Sequence, residues 1–175
     1  MQESREDLLK KIKRENWDII VVGGGITGAG ILREAVRRNL KVLLLEQRDF
    51  AWGTSSRSTK MVHGGLRYLK EGDFALTRES VLERENLINE LPGLVTNKGF
   101  ILPFYKEKLL QRLIIYIGLI VYDFLALRWR KHVYSLKDME RLAPHIGKKN
   151  LKGGFCINDA VTDDARLVFR VLSEA

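Results

Sequence analysis

The chain has 175 residues, 45% hydrophobic and 30% charged, which supports a packed core and excludes a disordered polypeptide. A single cysteine, Cys156, excludes an intrachain disulfide and reads as a small buried hydrophobe. The net charge of +8 comes from scattered bases without a nucleic-acid motif, so an anionic substrate or an anionic membrane surface fits better than nucleic acid.

Met1 to Glu15 is charged throughout and carries no signal-peptide pattern, which suits a cytoplasmic-side protein. Ser4 caps a helix, with Asp7 three residues on. Leu8, Leu9 and Ile12 give that helix a narrow apolar face beside Lys10, Lys11, Lys13 and Arg14. Such a helix packs on its own domain or lies on an anionic surface.

Asp18 to Val22 is a short β-branched run, and a helix from Ile26 to Arg38 follows. Between them, Gly23-Gly24-Gly25-Ile26-Thr27-Gly28 satisfies G-x-G-x-x-G with Gly23, Gly25 and Gly28. Asn39 suits the left-handed cap, and Lys41 to Leu45 forms a second strand closed by Glu46. This order is what a dinucleotide needs. Gly23 allows the tight turn, Gly25 admits the pyrophosphate, and Gly28 lets the helix approach the sheet. The helix N-terminus offers free N–H groups to the diphosphate. Glu46 lies 18 residues after Gly28, where a carboxylate accepts hydrogen bonds from the adenosine ribose and disfavours NADP. The fingerprint does not separate FAD from NAD.

The segment Thr54 to Leu69 does. Five hydroxyl residues, Thr54, Ser55, Ser56, Ser58 and Thr59, are interrupted by Arg57 and followed by Lys60 and His63-Gly64-Gly65. Hydroxyls suit a phosphate or a flavin edge, and paired glycines permit close approach to a flat ring. The alternative is a serine-rich surface loop.

A helix from Phe74 to Leu91 stops at Pro92-Gly93, and Gly99 to Tyr105 reads as a strand that Pro103 confines to an edge or bulge. In Leu109 to Leu127, residues Leu109, Leu113, Tyr116, Ile117, Ile120, Phe124 and Leu127 share one helical face. Bases flank it: Lys106, Lys108 and Arg112 before, Arg128, Arg130 and Lys131 after. Its uninterrupted apolar run is ten residues, too short to span a bilayer; a buried helix is preferred to an interfacial one. Ser135 begins a short helix that stops before Pro144, and Leu151 to Ile157 is a strand. Thr162 or Asp163 caps a final helix carrying Leu167, Val168 and Val171. Asp163 and Asp164 are read as caps rather than catalytic acids. His132 and His145 are read as solvent-facing.

From Trp17 onward the chain resembles the FAD-dependent glycerol-3-phosphate dehydrogenases. The resemblance rests on Gly23 to Gly30, Thr54 to Leu69, Ile117-Gly118-Leu119 with Tyr122-Asp123, and Thr162 to Leu167. It implies an α/β fold: a Rossmann-like FAD-binding domain with the start of an α+β substrate domain, truncated. The expected segments are a basic extension over 1–16, the first part of the FAD-binding domain over 17–97, the start of the substrate domain over 98–160, and a returning helix over 161–175. The third strand of the FAD sheet and the main phosphate-binding arginines are expected after residue 175, which makes the chain an N-terminal fragment.

The implied reaction oxidises the C2 alcohol of sn-glycerol 3-phosphate to the ketone of dihydroxyacetone phosphate. Hydride passes to the flavin, a base takes the hydroxyl proton, and electrons leave to a quinone at the inner face of the cytoplasmic membrane. The expected FAD contacts are Gly23, Gly24, Gly25, Ile26, Thr27, Gly28, Glu46, Gln47, Thr54, Ser55, Ser56, Ser58, Thr59, His63, Gly64 and Gly65. His63 is the candidate base or substrate orienter, since imidazole exchanges protons near neutrality; a structural hydrogen bond within its loop is the alternative. Arg57, Lys60 and Arg67 are the candidate substrate-binding residues, placed to support the phosphate or the flavin, and no metal site is expected. Two other functions stay open: a glycerol-3-phosphate oxidase that uses oxygen, and a non-catalytic dinucleotide-binding module.

Overall fold

The computed structural model describes residues 4–106, 109–126 and 133–175. Expectations for Lys108, Leu127, Arg128, Arg130, Lys131 and His132 lie outside the described residues. The chain divides into two compact units, residues 1–60 with 163–175, and residues 61–162.

Unit one begins with helix α1 (Arg5–Arg14), capped by the Ser4 hydroxyl, which accepts the Asp7 N–H at 3.2 Å. Strand β1 (Ile19–Val22) runs parallel to β2 (Val42–Leu45), with Ile19 opposite Val42 and Val22 opposite Leu45. Helix α2 (Ile26–Arg37) is the crossover between them, and Asn39 closes it in the left-handed conformation at φ 59°. Helix α7 (Asp164–Ser173) packs against α2 around buried Ala29, Ala51 and Val168. Ala29 is small enough to let the two helices close. Phe50 meets Phe169 edge-on at 6.1 Å, and Arg33 pairs with Glu174 at 2.9 Å.

The two aspartates before α7 divide their work. Asp163 caps the helix by accepting the Arg166 N–H at 3.1 Å, as expected. Asp164 is not a cap. Its carboxylate accepts the Ser58 N–H at 3.2 Å, the Ser58 hydroxyl at 2.7 Å and the Lys60 ammonium. It ties the end of the hydroxyl-rich segment to α7.

Unit two is built on strand β6 (Gly153–Thr162). It pairs antiparallel with β4 (Val95–Phe104) along ten residues, from Val95 opposite Thr162 to Phe104 opposite Gly153. Two short strands, β3 (Met61–Val62) and β5 (Val133–Tyr134), also pair with β6. Pro103 lies on β4, an edge strand of this sheet, where a proline is tolerated. Helices α3 (Leu66–Lys70), α4 (Phe74–Glu90) and α5 (Leu109–Leu125) pack around buried Val81, Tyr122, Leu119, Phe104 and Phe155. Helix α6 (Leu136–Leu142) opens on a full capping box between Ser135 and Asp138. Cys156 is buried, as read.

Two expectations are corrected. The expected breaks at 97/98 and 160/161 fall inside β4 and β6, whose ladder holds both strands in unit two. Residues 61–97 join that unit because β3 pairs β6 and α4 packs on α5 and β4. Helix α5 is not a buried helix among the described residues. Its buried side chains are Leu119, Tyr122 and Asp123, whereas Leu109, Leu113, Tyr116, Ile117 and Phe124 of the expected inner face are exposed. Apolar periodicity does not mark the inner face; the hydrogen bonds of Tyr122, which reaches a buried ion pair, set it. Among the described residues no helix is long and apolar enough to cross a membrane.

The Asp164 link carries a pH signature. The Lys60 hydrogen bond, opposed by burial and reinforced by Ser58, pushes the Asp164 carboxyl down to about 2. A depressed carboxyl stabilises the fold above its unfolded value of 3.8 and loses that contribution as pH falls through about 2. Asp164→Asn should therefore cost about 1 kcal/mol at pH 7, discounted because the Lys60 ammonium is half exposed. Thermal melts should show the gap to wild type closing between about pH 4 and pH 2.

Candidate functional site

The sequence-predicted residues fall into two groups. Unit one holds Gly23 to Gly28, Glu46, Gln47 and Thr54 to Lys60; unit two holds His63, Gly64, Gly65 and Arg67.

In unit one the chain leaves β1 at Gly23, whose φ of 108° disfavours any side chain. A Cβ on Gly28 would stand 1.9 Å from the Gly23 carbonyl oxygen, so α2 rests directly on the turn. A Cβ on Gly25 would stand 3.0 Å from the Ser55 hydroxyl. Gly25 is the N-cap of α2 and brings no side chain to close it. The helix therefore opens on backbone N–H groups and its positive dipole end. The Ile26 N–H donates to the Ser55 hydroxyl at 2.9 Å, which draws the single 3₁₀ turn over Thr54–Ser56 toward the helix start.

Glu46 has a role that the fingerprint does not announce. Its carboxylate accepts the Gly24 N–H at 2.7 Å and the Arg48 N–H at 2.8 Å. These backbone donors, Gly24 first, hold the carboxyl below the usual carboxylate range. The end of β2 is thus pinned to the glycine turn, with lone pairs left on each oxygen for a ribose hydroxyl. Gln47 follows on the surface. Arg57 stacks on Trp52 at 4.8 Å and donates to the Trp52 carbonyl, while Arg48 lies 5.1 Å from the same ring. Ser58 and Lys60 are spent on Asp164; Thr59 is exposed.

In unit two a cleft of about 410 Å³ is lined by Met61, His63, Gly65, Leu66, Arg67, Tyr68, Phe100, Ile157 and Asp159. His63 and Arg67 are exposed at this opening, and Asp159 is buried. Arg67 pairs with Glu71 one turn along α3 at 2.9 Å. The paired glycines have an internal explanation. A Cβ on Gly64 would lie 2.3 Å from Val81 and 2.4 Å from the Tyr122 hydroxyl. Gly65 sits in the left-handed region at φ 71° and starts α3 against its own Tyr68.

Sequence reasoning missed what lies beneath Gly64. The Tyr122 hydroxyl accepts the Gly64 N–H at 2.8 Å and donates to Asp159 at 2.7 Å. Arg84 donates to Asp159 at 2.6 Å and to Tyr122 at 3.1 Å. In the sequence Arg84 stands between Glu83 and Glu85 and Asp159 follows Asn158, so nothing local marks either as buried.

Residues 18–175 match the family model described as DAO, FAD dependent oxidoreductase. The chain belongs to this FAD-dependent oxidoreductase family. It is 41% identical over 175 residues to the aerobic glycerol-3-phosphate dehydrogenase of Staphylococcus haemolyticus (strain JCSC1435), covering 98% of this chain and 31% of that protein. The chain thus spans about a third of the length of the curated relatives it matches. Among solved structures, the glycerol-3-phosphate dehydrogenase from Bacillus halodurans complexed with FAD matches with a TM-score of 0.68 at 30% identity, covering 97% of this chain and 26% of that one. The L-alpha-glycerophosphate oxidase from Mycoplasma pneumoniae shares the fold, with a TM-score of 0.64 at 16% identity over 91% of this chain and 42% of that one.

The residues present fit the cofactor of this FAD-dependent family. The side-chain-free start of α2 suits a diphosphate, and the fixed Glu46 carboxylate suits the adenosine ribose. Gly28→Ala tests the seat of α2 with a readout that needs no bound ligand. The added methyl group meets a backbone oxygen that cannot move aside. The expected cost exceeds the ~1–3 kcal/mol typical of overpacking, read as loss of soluble protein or of a cooperative melt. Wild-type stability in this variant would show that α2 does not rest on the turn.

Proposed function

We propose that the protein carrying this chain is an FAD-dependent glycerol-3-phosphate dehydrogenase that passes electrons to a quinone. It would oxidise sn-glycerol 3-phosphate to dihydroxyacetone phosphate. One observation carries the reading: the cleft of unit two gathers His63 and Arg67 at one opening, in a chain 41% identical to an aerobic glycerol-3-phosphate dehydrogenase. The shares covered, 98% of this chain and 31% of that relative, support reading the chain as one part of such an enzyme.

When bound, FAD supplies hydride acceptance. The chain's own residues do the rest. Gly25, Thr27 and Gly28 present backbone N–H groups to the diphosphate, while Gly23, Gly24 and Ile26 donate theirs to Leu45, Glu46 and Ser55 and so shape the turn around it. Glu46 and Gln47 face the ribose, and Thr54, Ser55, Ser56 and Thr59 line its approach with hydroxyls. Ser58 and Lys60 hold the segment to α7, so Lys60 acts on an anion only in exchange for Asp164. Arg67 offers a guanidinium to the substrate phosphate. An imidazole nitrogen of His63 accepts the C2 hydroxyl proton as the C2–H bond breaks. Gly64 and Gly65 place that imidazole.

The acceptor and the membrane belong to the same proposal. The exposed Leu109, Leu113, Ile114, Ile117 and Phe124 of α5, near Lys106 and Arg112, support a peripheral surface on an anionic bilayer. Quinone is a bilayer-soluble acceptor. The cytoplasmic face is the side that this reading assigns.

His63→Asn in the full-length protein should leave FAD bound and slow flavin reduction by sn-glycerol 3-phosphate about 10²–10⁴-fold, followed by stopped flow and normalised to bound flavin. A reduction rate near wild type would remove His63 from the chemistry. The acceptor is read by turnover with quinone carried in anionic vesicles. Ile114→Glu with Ile117→Glu should lower that turnover roughly tenfold while leaving a soluble dye acceptor unaffected. Stoichiometric peroxide without quinone reduction would instead assign an oxidase.

A further inference from the structure

The N–H that Tyr122 accepts belongs to the peptide bond between His63 and Gly64. That amide is buried, and its partners come from three elements far apart in sequence: Arg84 of α4, Tyr122 of α5 and Asp159 of β6. Asp159 also stands 3.3 Å from the same N–H. Arg84 donates further to the Asn158 carbonyl at 3.0 Å and to Glu85 at 2.8 Å.

Stability alone does not require this arrangement. The side chains of Arg84 and Asp159 are only 4% and 6% exposed, and a buried ion pair is often replaceable by apolar side chains at no loss. What apolar residues cannot do is accept an amide proton at a fixed point. The hydroxyl keeps its proton, since burial, and then the Asp159 charge, raise the Tyr122 pKa. Arg84 keeps its charge, because Tyr122, Asp159 and Glu85 outweigh the burial that alone would lower its pKa. Gly64 leaves no room for a side chain, which lets its amide reach the network.

We propose that Arg84, Tyr122 and Asp159 form a positioning unit that fixes the His63–Gly64 peptide and so aims His63 into the cleft. The inference rests on the proposed role of His63. It gives these three residues a function one step removed from substrate: they hold the loop that presents the base.

The test uses the FAD-loaded full-length enzyme with Tyr122→Phe, which keeps the buried ring and removes the oxygen. Hydrogen–deuterium exchange at Gly64 should rise about tenfold, the scale of one lost hydrogen bond, while the β4–β6 ladder stays within about twofold. Flavin reduction per bound flavin should slow about tenfold, with KM changed less than about twofold. Asp159→Asn provides a second variant should Tyr122→Phe fail to fold, and the same selective loosening is expected. Exchange that rises evenly across residues 61–162, or an unchanged rate at Gly64, would overturn the proposal. So would selective loosening with unaltered flavin reduction, if His63→Asn slows that reduction. Selective loosening together with a silent His63→Asn would support the anchor and overturn the catalytic reading of His63 instead.

Discussion

Helix α2 begins where no side chain fits. A Cβ on Gly28 would lie 1.9 Å from the carbonyl oxygen of Gly23, so the first turn of the helix rests on the turn that leaves β1. From that seat follow the parallel pairing of β1 with β2, the register that brings Glu46 to the Gly24 amide, and the contact of Ala29 with α7. Gly25 brings no side chain to the helix N-terminus, and the Ser55 hydroxyl takes only the Ile26 N–H. The remaining N–H groups of the first turn leave a fixed positive potential, and an anion is its natural complement.

Unit two applies a different constraint. Its sheet centres on the long β4–β6 ladder, with β3 and β5 also paired to β6, and its helices gather on an ion pair rather than on a purely apolar centre. Arg84, Tyr122 and Asp159 are mutually satisfied, which makes their burial tolerable. The network also explains an inverted helix. Helix α5 turns its polar Tyr122 and Asp123 inward and leaves Leu109, Ile114 and Phe124 in solvent. A helix that buries a tyrosine and an aspartate beside Leu119, and exposes most of its other apolar residues, meets a polar requirement as well as an apolar one, and the Gly64 amide is part of it.

Local rules were legible in the sequence. Ser4 with Asp7, Asn39 after α2, Ser135 with Asp138 and Asp163 before α7 each act within a few residues, where propensity and capping decide. The glycine fingerprint was legible for the same reason. Pairings between distant residues were not. Lys60 and Asp164 are 104 positions apart, Gly64 and Tyr122 are 58 apart, and Arg84 and Asp159 are 75 apart. No single-sequence pattern links them. The Gly64-Gly65 pair was read as room for a flat ring, but Val81, Tyr122 and Tyr68 already require it. The face of α5 was misread because apolar periodicity was taken to mark the inner face, whereas the hydrogen bonds of Tyr122 set it. The expected domain break at 97/98 failed because strand pairing, not composition, holds β4 together.

We propose that the glycine turn, the start of α2 and the pinned Glu46 hold FAD. That claim is tested most directly by the bound cofactor itself. The full-length protein should purify yellow or take up FAD on reconstitution, at about one per chain. Its released flavin should gain fluorescence on phosphodiesterase treatment, which marks FAD and not FMN. A protein that stays colourless after FAD reconstitution and binds NAD would contradict the account.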